Sequence, residues 1–317
     1  MRVLITGGAG FIGSNLAQRC QNEGWDVTIV DDMSNGQLEF VPDRVRMLAM
    51  DFAAADVLKA IKAKQFDVVI HLAARPRVSY SVEHPVETND INVGKTVELM
   101  TACVGNVRRF VFASSSSVYG GADVLPTHED TVKNPQSPYA LQKSIIEEYL
   151  ELYYKLYHLD SSCMRFFNVF GPNQLGGSPY ATAISAWLAA IKEGKPMRSD
   201  GDGEQSRDMC YVDNVVDALV RAASYGPDLA ADRFNVACGD RTTNNEVLAH
   251  LMKRYPNAVK VDAPVRAGDV RHTQADITKI GNVLGYKPLV RVWEGVDRTI
   301  DWYEENWSLI QRMKLST

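Results

Sequence analysis

The chain has 317 residues, 45% of them hydrophobic and 23% charged, with a formal net charge of −5 and a pI near 5.7. That length exceeds one typical core, so one large domain with an appended lobe, or two domains, is expected. The acidic balance leaves no polycationic face for nucleic acid and no Lys/Arg block for an anionic membrane, so the expected partners are small molecules. Five cysteines (Cys20, Cys103, Cys163, Cys210, Cys238) are scattered, odd in number and form no C-x-x-C pair. This argues against a disulfide framework and a zinc site; no metal is expected, and the compartment reads as reducing and cytoplasmic. Met1 to Ile5 is apolar but Gly7 to Gly10 follow at once, so neither a signal peptide nor a run approaching ~18 apolar residues is read.

In chain order, Arg2 to Thr6 is a short β-branched run, then Gly7-Gly8-Ala9-Gly10-Phe11-Ile12-Gly13, then a helical pattern from Ser14 to Cys20. Strand, glycine turn and helix make a phosphate cradle: glycines permit a tight turn and close backbone approach, while the helix start offers free N–H groups to a pyrophosphate. A second strand, Asp26 to Val30, ends at Asp31-Asp32, about 20 residues on, where a dinucleotide-binding fold places the carboxylate for the adenosine ribose. Two acidic residues would repel a 2'-phosphate and no arginine is expected nearby, which favours NAD over NADP.

Further strands are expected at Val45 to Ala49, ending at Asp51-Phe52, at Asp67 to Leu72, ending at Ala73-Ala74, and at Arg109 to Ala113, ending at Ser114 to Ser117. Alternating strands and helices predict an α/β fold, a Rossmann-type doubly wound parallel sheet with ligands outside the carboxyl ends of its strands. Gly10, Asp31, Asp51, Ala73 and Ser115 converge there. Long helices are expected within Val86 to Cys103 and from Tyr139 to Tyr157, their apolar stripe serving the core or a dimer surface. Tyr139 and Lys143 stand four apart, hence on one helix face, and an ammonium beside a phenol favours its ionised form. Tyr139 is thus a candidate general acid/base.

Beyond Pro172 the pattern loosens: a loop over Asn173 to Pro179, a helix over Ala181 to Glu193, a loop over Gly194 to Asp208, a strand over Met209 to Val212 and a helix over Val215 to Tyr225. Short elements in mixed order predict a smaller mixed α/β substrate lobe over the strand ends. The expected division is residues 1–171 for NAD, with some later segments returning to that domain, and 172–317 mainly for substrate.

Gly7-x-x-Gly10-x-x-Gly13, Asp31, His71-Leu-Ala-Ala74, Ser114 to Gly120, Tyr139-x-x-x-Lys143 and Arg165-Phe-Phe-Asn168-Val-Phe-Gly-Pro172 occur in order and at matching spacing. Together they resemble an extended short-chain dehydrogenase/reductase, specifically a nucleotide-sugar 4-epimerase, over roughly residues 1 to 305. Ser206-Arg207-Asp208-x-x-Tyr-Val-Asp213, Asn235-Val-Ala-x-Gly239 and Arg266-Ala-Gly-Asp269-Val-Arg-His-Thr273 are most similar to the UDP-N-acetylglucosamine branch. One departure is Lys95, where Asn-Val-x-Gly-Thr is usual.

The resemblance implies that Ser115, Tyr139 and Lys143 are catalytic. It also implies that NAD is bound by Gly7, Gly10, Phe11, Ile12, Gly13, Asp31, Asp32, Asn35, Gly36, Asp51, Phe52, Leu72, Ala73, Ala74, Asn92, Tyr139, Lys143 and Phe167. Substrate contacts are expected from Ser115, Ser116, Tyr139, Asn168, Arg207, Arg266, Asp269 and Thr273, the arginines offsetting a diphosphate, and a homodimer is expected. Tyr139 would take the 4'-hydroxyl proton while hydride leaves C4', Ser115 would relay the proton, and Lys143 would hold the nicotinamide ribose and lower the Tyr139 pKa. Dehydratases of the same type carry an Asp-Glu pair after the Ser115 position and uronate decarboxylases a Glu at the Ser117 position, whereas this chain has Ser116 and Ser117. Thr273 resembles a small gatekeeper that admits a 2'-N-acetyl group, so UDP-GlcNAc and UDP-GalNAc are the expected substrates with UDP-glucose and UDP-galactose tolerated. A UDP-uronate 4-epimerase is the main rival, Arg75, Arg77 or Arg271 meeting a carboxylate; a non-catalytic NAD-binding regulator is a remote one. Asp213, His71 and His272 read as structural.

Overall fold

The computed structural model describes residues 1–121, 124–177, 182–265 and 270–315. The first half alternates strands and helices: β1 (Arg2–Thr6), α1 (Phe11–Asn22), β2 (Asp26–Asp31), β3 (Arg46–Ala49), α2 (Ala55–Lys62), β4 (Val68–His71), α3 (Val78–Glu83), α4 (Pro85–Asn89) and α5 (Thr96–Cys103). It continues through β5 (Arg109–Ser115), α6 (Pro138–Tyr157), β6 (Ser161–Phe166) and β7 (Asn168–Phe170). After it come α7 (Ala183–Lys192), β8 (Met197–Asp200), β9 (Ser206–Arg207), β10 (Met209–Tyr211), α8 (Val212–Ser224) and β11 (Asp232–Val236). The rest is β12 (Thr242–Thr243), α9 (Asn244–Arg254), β13 (Lys260–Ala263), α10 (Thr278–Leu284) and α11 (Val292–Leu315).

Seven parallel strands form the main sheet in the order β11-β6-β5-β4-β1-β2-β3. The winding direction reverses between β1 and β4, so the loops after these two strands diverge and leave a crevice at their carboxyl ends. Side chains alternate across the sheet. Val3, Ile5, Ile29 and Ile70 pack with Leu16, Ala218 and Leu219, while Leu4, Val30, Val69 and Phe112 pack on the other side with Val57, Leu99 and Ile146. Because β11 joins this sheet, chain beyond residue 172 is part of the nucleotide-binding body.

Two expectations about elements need correction. The long helix expected within Val86 to Cys103 is interrupted by a π-helical turn, Asp90–Lys95, between α4 and α5. Lys95 closes that turn and its Nζ lies 2.6 Å from Asp51 Oδ2, so the departure from the usual glycine binds the helix to the end of β3. The loop expected over Gly194 to Asp208 contains β8 and β9, which pair with β13 and β12; distant partners, not local propensity, make them strands. Among the described residues, no helix is long and apolar enough to cross a membrane.

Candidate active site

A cavity of about 930 Å³ lies over the carboxyl ends of the strands. Its floor is the turn between β1 and α1, where Gly7 has φ +69° and a Cβ on Gly13 would lie 2.1 Å from Gly7 O. No side chain caps the start of α1, and Gly10, Phe11, Ile12 and Gly13 line the cavity there. A pyrophosphate meets uncapped N–H groups and a favourable helix dipole at such a place.

At one end the walls suit an adenosine. Asp31 accepts the Ala9 N–H at 3.0 Å and the Met33 N–H at 2.9 Å; burial pushes its carboxyl up and these bonds act against that. A Cβ on Gly36 would stand 2.8 Å from Asp31 Oδ1, so only glycine leaves this wall open. Asp32 accepts the Ser34 N–H at 3.0 Å, and Arg75 reaches both Asp32 (3.3 Å) and Ser34 Oγ (2.5 Å). Burial works against ionised Asp32, yet Ser34 and Arg75 together hold its carboxyl below the ordinary range. The expectation that no arginine lies nearby is thereby corrected: Arg75 comes from the loop after β4, and only the fold brings it to Asp32.

Asn35, Phe52, Leu72, Ala73 and Ala74 also line the cavity. Asn92 is set back from the wall. It accepts the Arg75 N–H at 2.8 Å and donates to Arg75 O at 3.2 Å, fixing that loop by both backbone groups. Asp51 is likewise engaged behind the wall, with the Ala53 N–H at 2.8 Å and with Lys95. Phe167, the residue between β6 and β7, packs against Tyr119 in the core, and Phe166 at the end of β6 lines the cavity instead.

At the other end stand Ser115, Tyr139 and Lys143. Ser137 caps α6 by accepting the Ala140 N–H at 3.2 Å, and Pro138 occupies its first turn, so the helix starts with Tyr139 against β5. Ser115 ends β5 and accepts the Ser117 N–H at 3.2 Å, and its side chain stands next to the Tyr139 phenol. Lys143 is buried, donates to Ala113 O at 2.7 Å and lies 5.8 Å from the centre of the Tyr139 ring. Burial pushes the Tyr139 phenol up to about 12, the Ser115 bond opposing it, and pushes Lys143 down to about 7. The expected lowering of Tyr139 by its neighbour is therefore reversed in the protein alone: desolvation of both groups outweighs their attraction.

On the sugar side, Asn168 donates to Thr273 Oγ1 at 3.4 Å, and Thr273 N–H donates to Ser206 O at 3.0 Å beside Arg207. Asn168, Arg207 and Thr273 are thus drawn together from three segments, though none lines the cavity just described. Ser116 follows Ser115 in a short 3-10 turn. Arg266 and Asp269 lie outside the described residues. Sequence reasoning missed Asp208, which is fully buried and accepts the N–H groups of Cys238 (2.9 Å), Gly239 (3.0 Å) and Ala275 (3.1 Å). Its only local signal is its place beside Arg207. His71 is buried between Thr6 and Thr96 and pushed down to about 3 by burial, hence neutral. His272 bonds Ser206 Oγ at 2.8 Å, and Asp213 meets Arg298 at 3.4 Å.

The NAD dependent epimerase/dehydratase family matches residues 3–237. A UDP-glucose 4-epimerase of Mycolicibacterium smegmatis is 37% identical over 314 residues, covering 96% of this chain and 98% of that protein. A UDP-glucuronate 4-epimerase of Thermodesulfobacterium geofontis is 32% identical, covering 98% and 99%. The solved structure of a UDP-N-acetylglucosamine 4-epimerase from Methanobrevibacter ruminantium, in complex with UDP-N-acetylmuramic acid, matches with a TM-score of 0.90 and 34% identity, covering 96% of this chain and 98% of that one. The open glycine floor, the Asp31 wall and the Tyr139–Lys143 end fit NAD, and the chain belongs to the NAD dependent epimerase/dehydratase family.

Proposed function

We propose that the protein interconverts UDP-hexoses epimeric at C4', with UDP-N-acetylglucosamine and UDP-N-acetylgalactosamine preferred and UDP-glucose and UDP-galactose tolerated. The observation that carries this reading is the placement of Tyr139 and Lys143, one helical turn apart on α6, at the end of the cavity that fits NAD, with the Ser115 side chain next to the Tyr139 phenol. Bound in this cavity, NAD would supply a hydride acceptor for C4' and the donor for the hydride's return, with no net oxidation. Tyr139 takes the 4'-hydroxyl proton through Ser115 and gives it back to the C4' oxygen after the keto sugar has turned its other face toward the hydride donor. Ser115 is aligned for this because the Ser117 N–H occupies one of its lone pairs. Lys143, whose Nζ donates to Ala113 O at 2.7 Å, would hold the nicotinamide ribose.

Asn168, Arg207 and Arg266 are assigned to the diphosphate, Asp269 to the uridine ribose, and Thr273 to the space around the sugar C2'. Thr273 is small and its hydroxyl is engaged with Asn168 and the Asp208 N–H (3.3 Å), which supports a pocket wall held back from the sugar. The uronate reading is weakened by two of its candidate arginines: Arg75 is held by Asp32 and Ser34, and Arg271 is paired with Asp202 at 2.7 Å. The test is incubation with UDP-N-acetylglucosamine, UDP-glucose and UDP-glucuronate separately, products being identified by NMR. Conversion of the N-acetylated sugar is expected, and conversion of UDP-glucuronate alone would overturn the assignment.

A further inference from the structure

Tyr139, Lys143 and Glu147 recur every fourth residue on α6 and share one face. Each meets a different one of the last three residues of β5. Tyr139 stands next to Ser115, Lys143 donates to Ala113 O at 2.7 Å, and Glu147 Oε1 accepts from Ser114 Oγ at 2.6 Å. The first two act at the cavity; Glu147 is fully buried behind it. We propose that Glu147 is a positioning residue of the reaction, fixing the end of β5 against α6 through Ser114 and placing a carboxylate one turn from Lys143 on the same helix face. The proposal rests on the epimerase reading of the site.

The groups around Glu147 keep it ionised. Arg165 on β6 is bidentate to it, Nε at 2.9 Å and Nη2 at 2.7 Å, while Lys133 and, on β11, Arg233 approach to 3.5 and 3.6 Å. Burial would push its carboxyl up, but Arg165, Ser114 and Lys133 hold it below the ordinary range. Cys163, also facing it, is a neutral thiol pushed well up by burial. Arg165 is anchored in turn, donating to the Tyr119 hydroxyl at 2.7 Å and to Glu129 O at 2.9 Å.

Lys143 has less support. It faces the Phe112 ring at 4.6 Å, the Tyr139 ring and neutral His71 on β4. Burial drives its proton off and Glu147 opposes that. A buried ion pair with a purely structural role would affect stability and leave the pH dependence of turnover alone.

Initial rates of the NAD-loaded protein on UDP-N-acetylglucosamine and UDP-galactose, normalised to bound NAD, test the proposal across pH. Glu147→Gln should lower kcat by about tenfold or more with KM within about twofold, and move the alkaline fall of kcat down by about one pH unit, because Lys143 loses its proton earlier. Glu147→Asp, which keeps the charge, should lose rate while keeping the wild-type alkaline fall. If Glu147→Gln does not fold, Arg233→Met decides: removing a half-buried cation should move the fall upward. An alkaline fall that stays in place in whichever of these two variants folds overturns the proposal, whereas a wild type inactive on both sugars overturns the epimerase reading and the proposal with it.

Discussion

Around the nucleotide, the site is made of residues standing where parallel strands end: the glycines after β1, Asp31 at the end of β2, Ala73 after β4. The half we assign to the sugar is Asn168, Arg207 and Thr273, which arrive from three distant segments and are joined by the hydrogen bonds of Asp208 and Thr273. The nucleotide half inherits its geometry from the sheet, whose central strands β1, β4, β5 and β6 are paired on both sides and almost wholly buried. The sugar half rests on a few polar contacts over short two-stranded pairs. One half can therefore stay constant while the other is altered for a different sugar, consistent with one fold carrying the glucose, glucuronate and N-acetylglucosamine epimerases to which this chain is similar.

The sharpest break in that division is at the residue both halves share. Tyr139→Phe should lower kcat by at least the roughly 100-fold of a positioned proton-transfer group, with bound NAD unchanged, and Ser115→Ala should lose less. Wild-type turnover in the phenylalanine variant would remove Tyr139 from the mechanism. Thr273→Tyr should act on the sugar half alone. Overfilling a packed site costs about 1 to 3 kcal/mol, or roughly 5- to 150-fold, and the loss should fall on N-acetylated sugars while UDP-galactose is spared. Equal losses on both pairs would show that Thr273 does not face C2'.

Asp208→Asn turns one acceptor into a donor facing backbone N–H groups, a mismatch of about 1 to 3 kcal/mol. The expected reading is a raised KM for the UDP-sugar, a lowered Tm and an unchanged NAD content. Loss of NAD together with substrate binding would mean the halves are not separable.

The smallest effect concerns the stability cost of the site itself. Lys143 titrates at about 7 in the fold against an ordinary 10.5, so between those values the unfolded chain binds more protons and this group's penalty fades as pH rises. Below pH 7 the penalty is full. Lys143→Met should raise the Tm of NAD-free protein, and more at pH 6 than at pH 10. A gain that grew with pH would contradict the burial of a charged ammonium.

The same division governs what could be read from the residues. The glycine turn, Asp31 and the Tyr139–Lys143 spacing are legible because each depends on neighbours within one β-α unit. Arg75 meets Asp32 across 43 residues and Asn168 meets Thr273 across 105, and no local pattern marks such pairs. The strands β8 and β9 sit in a glycine- and aspartate-rich stretch whose propensity is for loop, and their pairing with β13 and β12 overrides it. The motif around Phe167 does not tell which of two adjacent phenylalanines faces the cofactor; Phe166, at the end of β6, lines the cavity and Phe167 packs in the core.

The central claim is that hydride leaves C4' and returns to the same carbon through an NAD held within the site while Tyr139 moves the proton. The most direct measurement uses UDP-N-acetylglucosamine deuterated at C4', with the product followed by NMR in ordinary water. UDP-N-acetylgalactosamine carrying its full deuterium at C4' is the predicted result. Formation of that product with the label washed out to solvent, or no product with NAD bound, would contradict the account.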